Sequence, residues 1–129
     1  MANDKHGNNG EVAVRTLAMP ADTNPSGDIF GGWLLSQMDI AGATVARQLA
    51  KMRVVTVAVT GMKFHEPVYV GDLVTCYAEI TKTGRTSITV HITTTARRRD
   101  TADTVKVTQG TFVYVALDDS GDPYRFAED

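Results

Sequence analysis

The sequence predicts an α+β domain in which one long helix packs across an antiparallel sheet. Three observations lead there. Residues Asn24 to Ala50 open in turn formers and run into a long stretch of helical spacing. Later stretches alternate apolar and polar residues, as strands do. Those strands are joined by short turns with no second helical stretch between them, a connection that suits antiparallel neighbours.

Residues 1–10, MANDKHGNNG, are polar and rich in glycine and asparagine. They lack the apolar centre of a signal peptide and read as a disordered tail. Glu11 to Met19 alternates in part, with Val12 and Val14 on one side and Ala13 and Arg15 on the other, before Pro20 closes it. This is a first strand, at a sheet edge. Ala21 to Asp28, ADTNPSGD, concentrates turn formers and leaves backbone N–H groups pointing forward into the helix start. Asp28 is one candidate N-cap. If the helix begins after Gly31 instead, the paired glycines let a ligand approach its first turn, where unpaired N–H groups and the dipole favour negative charge.

Within the helix, Leu34, Met38, Ala41, Val45 and Leu49 recur at helical spacing and form an apolar stripe suited to lying on a sheet. Plotted at about 100° per residue, Gly32, Ser36, Asp39, Ala43, Ala46 and Ala50 form an adjoining stripe of small side chains. Asp39 is its only charge. A lone carboxylate on such a seam is costly to bury, so Asp39 marks either function or a solvated edge.

Arg53 to Thr60 is rich in valine and threonine and reads as a strand; Met62 to Val70 then bends at Pro67. Asp72 to Thr83 alternates, and a turn near Lys82 to Arg85 leads into a second alternating run through Ile88, Val90 and Ile92. These two make the clearest hairpin of the chain. Thr104 to Leu117 sets Val105, Val107, Val113 and Val115 on one parity and Phe112 and Tyr114 on the other. The domain therefore spans residues 11–118, and 119–129 reads as a loose tail.

At 129 residues and 43% hydrophobic content the chain supplies one core without staples. A net charge of −2 gives no reason to expect nucleic acid, and the local cluster Arg97 to Arg99 reads as a solvated turn. The single cysteine, Cys76, rules out an internal disulfide and supplies no metal-ligand pair; it reads as a buried, inert thiol. No segment is long and apolar enough to span a membrane, and the lone cysteine makes the cytoplasm the expected compartment.

Three stretches, MPADTNPSGDIFGGWLLSQMDIAGATVA at Met19 to Ala46, FHEPVYVGD at Phe64 to Asp72 and KTGRTSITV at Lys82 to Val90, together resemble the hotdog-fold acyl-CoA thioesterases, most closely the YciA type. The resemblance implies a sheet of about five strands wrapped around a central helix, and an enzyme that hydrolyses acyl-CoA to free CoA and a carboxylic acid. By the same resemblance Asp39 of the QMD motif is the catalytic carboxylate. Gly31 or Gly32 would offer oxyanion donors, and Asn24 would face the thioester. Lys82, Gly84, Arg85, Thr86 and Ser87 become candidates for binding the CoA nucleotide, since cations and hydroxyls suit phosphate oxygens. His65 is assigned a structural place away from the helix start, and no histidine lies where the related dehydratases carry theirs.

No metal or organic cofactor is implied, CoA being part of substrate and product. The family plan also implies a homodimer with active sites shared between subunits, assembled into a hexamer. The alternative is a non-catalytic acyl-CoA binding or sensing protein. Retention of Asp39, and termini too short for an output module, favour the enzyme.

Overall fold

A computed structural model describes residues 10–127 of the chain; apart from Gly10, the expected N-terminal tail lies outside the described residues. In order come β1 (Glu11–Leu17), a single 3-10 turn (Pro20–Asp22), α1 (Gly31–Ala50), β2 (Arg53–Phe64), β3 (Leu73–Thr83), β4 (Ser87–Arg97) and β5 (Thr104–Leu117). The strands form one sheet in the order β1-β3-β4-β5-β2, antiparallel throughout. β1 lies at an edge, as its mixed pattern suggested, and β2 forms the other edge.

α1 starts at Gly31, with Phe30 in the N-cap position and no side-chain cap. Asp28 is therefore not the cap. Its carbonyl oxygen and its carboxylate both accept from Asn24, closing the preceding loop instead. At the other end Lys51 takes a left-handed conformation (φ 58°) and donates its N–H to the Arg47 carbonyl, which stops the helix and turns the chain into β2.

The buried helix face comprises Leu34, Met38, Ala41, Gly42, Val45, Ala46 and Ala50. Leu49, expected on this face, is 44% exposed. The sheet is twisted, so its line of contact turns around the helix and meets the small residues Ala46 and Ala50 in the last turns. Beneath α1 one core cluster joins Met38, Val45, Ile88, Ile92, Phe112 and Tyr114. A second, under the helix start, joins Ala18, Ile29, Leu34, Val68, Val74 and Val107.

β5 has the expected bounds, and its inward parity changes along its length. Thr94 pairs with Thr108 while Thr95 pairs with Lys106, so Val107 is an extra residue in the ladder. A one-residue bulge reverses every subsequent side chain. Val107 itself is buried, and after it Phe112, Tyr114 and Ala116 are buried, while Val113 and Val115 fall on the opposite, less buried parity.

Cys76 is fully buried, its Sγ 3.4 Å from Thr94 Oγ1. Burial pushes its thiol up to about 11, so it stays a thiol at neutral pH. The segment after β5 is not loose within the described residues. Tyr124 N–H bonds to Ala116 O at 2.7 Å and Phe126 N–H to Arg85 O at 3.1 Å, which folds the segment back over the β3–β4 hairpin.

Candidate active site

Asp39 sits two helical turns into α1, where its partly exposed carboxylate meets the sheet. Its Oδ1 accepts the Thr56 hydroxyl at 2.7 Å and the Tyr114 hydroxyl at 3.1 Å. Thr56 and Tyr114 are themselves cross-strand partners in the β2–β5 ladder. Burial raises the pKa of Tyr114 above the ordinary phenol range, and the negative charge of Asp39 and the hydrogen bond to it raise it further. The phenol is therefore a lasting donor.

Asp39 lines a groove of about 230 Å³ with Gly32, Leu35, Ser36, Thr56 and Phe112. A second cleft, of about 300 Å³, lies on the other side of the helix start and is lined by residues including Asn24, Gly31, Leu34, Phe64, His65 and Pro67. The four candidate catalytic residues are thus divided: Gly32 and Asp39 face one cleft, Asn24 and Gly31 the other. The N–H groups of Gly31 and Gly32 head the first turn, with no hydrogen-bond acceptor among the described residues. There is no acid in that turn to compete for them.

Asn24 is held rigidly. Its side-chain amide donates to Asp28 Oδ1 at 2.5 Å, and its Oδ1 accepts the Ser26 N–H at 2.8 Å. His65 is not remote from the helix start, as the sequence suggested. β2 runs past α1 so that the Phe64 ring lies 3.4 Å from where a Gly31 Cβ would stand, and His65 borders the Asn24 cleft.

This cleft is walled in part by residues 65–68, the start of a loop running to Asp72 that Arg98 clamps. Its Nη1 donates to Asp72 Oδ2 at 2.6 Å and to Pro67 O at 2.9 Å, and its guanidinium lies 5.2 Å from the Tyr69 ring centroid. One arginine of the expected solvated cluster is therefore a half-buried clamp, drawn inward by a carboxylate only 4% exposed.

The candidate CoA residues lie on the β3–β4 hairpin, where Gly84 N–H donates to Ser87 O at 2.9 Å and Thr86 O accepts the Ala116 N–H. Lys82 and Arg85 are exposed there. Ile88, next in line, pairs with Tyr114, which pairs with Thr56. The hairpin thus flanks the row of the sheet that anchors Asp39, without touching Asp39 within one protomer.

A family model described as the thioesterase superfamily matches residues 26–102. The chain belongs to that superfamily. The acyl-CoA thioester hydrolase YciA of Salmonella typhimurium is 53% identical over 117 residues, 88% of each chain. The YciA of Escherichia coli is 50% identical over 117 residues, 88% of this chain and 89% of that one. Among solved structures, a hexameric thioesterase from Yersinia pestis matches with a TM-score of 0.90 at 52% identity, over 95% of this chain and 99% of that one. A hexameric hotdog fold thioesterase of Campylobacter jejuni matches with a TM-score of 0.87 at 42% identity, over 92% and 91%. The helix wrapped by five strands is therefore the hotdog fold, and this superfamily member shares it with enzymes.

Two contacts of the site escaped the sequence. Thr56 and Tyr114 look like ordinary strand residues, and only their position on the helix-facing side of β2 and β5 connects them to Asp39.

Proposed function

We propose that the protein is an acyl-CoA hydrolase. The observation that carries this reading is Asp39: a carboxylate fixed by two hydroxyls on the wall of an open groove, on the helix whose first turn offers free N–H groups. Asp39 takes a proton from water as the water oxygen bonds to the thioester carbonyl carbon, and the N–H groups of Gly31 or Gly32 receive the oxyanion. The C–S bond then breaks, and the CoA thiolate recovers the proton from Asp39. No metal or organic cofactor enters these steps. The relatives named above carry the same activity in their names, and the setting we propose is cytoplasmic.

We further propose that each site is completed by a second protomer. Gly32 and Asp39 line the same groove, but seven residues of helix hold them about 10 Å apart along the axis. A single carbonyl needs donors within about 3 Å of its oxygen. We therefore assign the helix start and Asn24 of one subunit, and Asp39 of its neighbour, to each site of a homodimer. β2 is an uncovered edge with Val57 54%, Val59 40% and Phe64 56% exposed, an edge suited to pairing with a second copy. Three such dimers would make a hexamer like those of the solved relatives.

Gly32→Val is expected to abolish most turnover without unfolding the chain. Nothing within 4 Å meets a Cβ at Gly32, so the larger side chain fits but blocks approach to the first N–H groups. Mixed oligomers give the sharper result. Co-expressed Gly32→Val and Asp39→Ala chains should recover about a quarter of wild-type activity, because each mixed dimer keeps one intact site. Free thiol released from a panel of acyl-CoAs reads this out, and no recovery in proven mixed dimers would sink the shared site.

Arg85→Ala is expected to raise KM for acyl-CoA with little change in kcat, since a phosphate contact far from the carbonyl is equal in ground and transition states. Acyl-pantetheine, which lacks the nucleotide, should be unaffected. Equal loss on both substrates would make Arg85 a structural residue of the hairpin.

A further inference from the structure

We infer that Tyr114, seated in the space left by the absent side chain of Gly42, is a positioning residue that fixes Oδ1 of Asp39 and reserves Oδ2 for the reaction. The inference rests on the hydrolase reading. Tyr114 is 0% exposed, and its hydroxyl lies 3.0 Å from the Asp39 carbonyl oxygen and 3.1 Å from Oδ1. Thr56 supplies a second hydroxyl to the same Oδ1. Oδ2 has no donor among the described residues. An oxygen that accepts the Thr56 hydroxyl and shares the single Tyr114 proton with the Asp39 carbonyl is the poorer base, so the proton from water goes to Oδ2.

The aim of that oxygen is set by elements that do not yield. Both donors sit on one registered pair of the β2–β5 ladder, so a single strand register fixes the carboxylate from two sides. The Tyr114 ring lies near-parallel to Phe112, at 13° with centroids 6.4 Å apart. Its hydroxyl reaches the helix backbone because position 42 has no side chain. A Cβ there would collide with the Tyr114 hydroxyl and stand 2.8 Å from Ile92 Cδ1. Alanine favours a helix over glycine, so propensity alone would have chosen it; contact with Tyr114 and Ile92 excludes it. The buried phenol is held protonated beside the carboxylate, which keeps it a donor across the range of an assay.

The test compares kcat and KM for one good acyl-CoA substrate in wild type, Tyr114→Phe, Gly42→Ala, Asp39→Ala and the Tyr114→Phe/Asp39→Ala double variant, with thermal melting of each. Tyr114→Phe is expected to lower kcat by about 10- to 100-fold with KM within about twofold, because misplacing a catalytic group by an ångström costs that much. In the Asp39→Ala background the same change should cost less than about twofold, since nothing is left to position. Gly42→Ala should lower kcat at least as far as Tyr114→Phe. If it does not fold, Tyr114→Phe, which removes one oxygen and keeps the ring, decides alone.

A Tyr114→Phe protein with wild-type kcat, beside an inactive Asp39→Ala protein, would overturn the positioning role and leave the hydrolase reading standing. Equal losses in both backgrounds would overturn it too, by showing that Tyr114 does not act through Asp39. A wild type that releases thiol from no acyl-CoA would overturn the hydrolase reading itself.

Discussion

Replacing Asp39 by asparagine should lower kcat by roughly 10²- to 10⁴-fold, the cost of removing a positioned general base, and leave the fold intact. The amide has nearly the shape of the carboxylate, and its oxygen can still accept the hydroxyls of Thr56 and Tyr114 that now meet Oδ1. Asp39→Ala should be as inactive but somewhat less stable, because it removes the acceptor of two hydroxyls, at about 1 kcal/mol for a typical hydrogen bond. Tyr114 keeps the Asp39 carbonyl oxygen as partner in either variant, which limits the damage. The measurement is thiol release from short, medium and long acyl-CoAs, with circular dichroism and oligomer size as controls. Near-normal turnover of a good substrate by Asp39→Asn would remove this carboxylate from the mechanism.

Much of the fold could be read from local pattern because the pattern is local in origin. Thr104 to Leu117 alternates strongly enough to give the bounds of β5, and the glycine turn near Lys82 to Arg85 gives the hairpin between β3 and β4. What alternation cannot show is a residue inserted into the ladder. Val107 reverses the inward side of β5, and nothing in VKVTQGTFVYV marks it. Leu49 misled for a related reason: helical spacing assumes a straight line of contact, and a twisted sheet does not offer one.

The site divides in the same way. Asp39 stood out as the single charge on a stripe of small residues. Its partners Thr56 and Tyr114 lie 17 and 75 residues away, and only the sheet brings them to it. Gly42 reads as one more small helix residue until the Tyr114 hydroxyl is found occupying the place of its side chain. Arg98 reads, with its neighbours, as surface charge, since a run of three arginines does not reveal which of them meets a buried carboxylate.

That last difference sets the largest expected effect on stability. Arg98→Ala should destabilise the protein by about 2–4 kcal/mol, because it strands the Asp72 carboxylate, 4% exposed, without its partner. Removing one member of a buried pair costs more than the pair is worth. Asp72 also accepts the Tyr69 N–H at 2.9 Å through the same Oδ2, and its carbonyl accepts the Ala18 N–H at 3.0 Å, so the loop from His65 to Asp72 is fixed to the end of β1 through this residue. The Val68 carbonyl in that loop accepts the Ile29 N–H at 2.8 Å and so ties the helix entry to it. Loss of the clamp should therefore reach the cleft of Asn24 and Gly31, lowering activity at temperatures where the protein is still folded. Thermal melting should fall by roughly 10 °C. Arg99→Ala is the matched control: Arg99 pairs with Asp100 at 3.1 Å, but the two side chains are 64% and 78% exposed, and water replaces such a pair at little cost. A melting temperature that fell equally in the two variants would mean that general charge at the β4–β5 turn, and not the clamp on Asp72, holds this wall of the cleft in place.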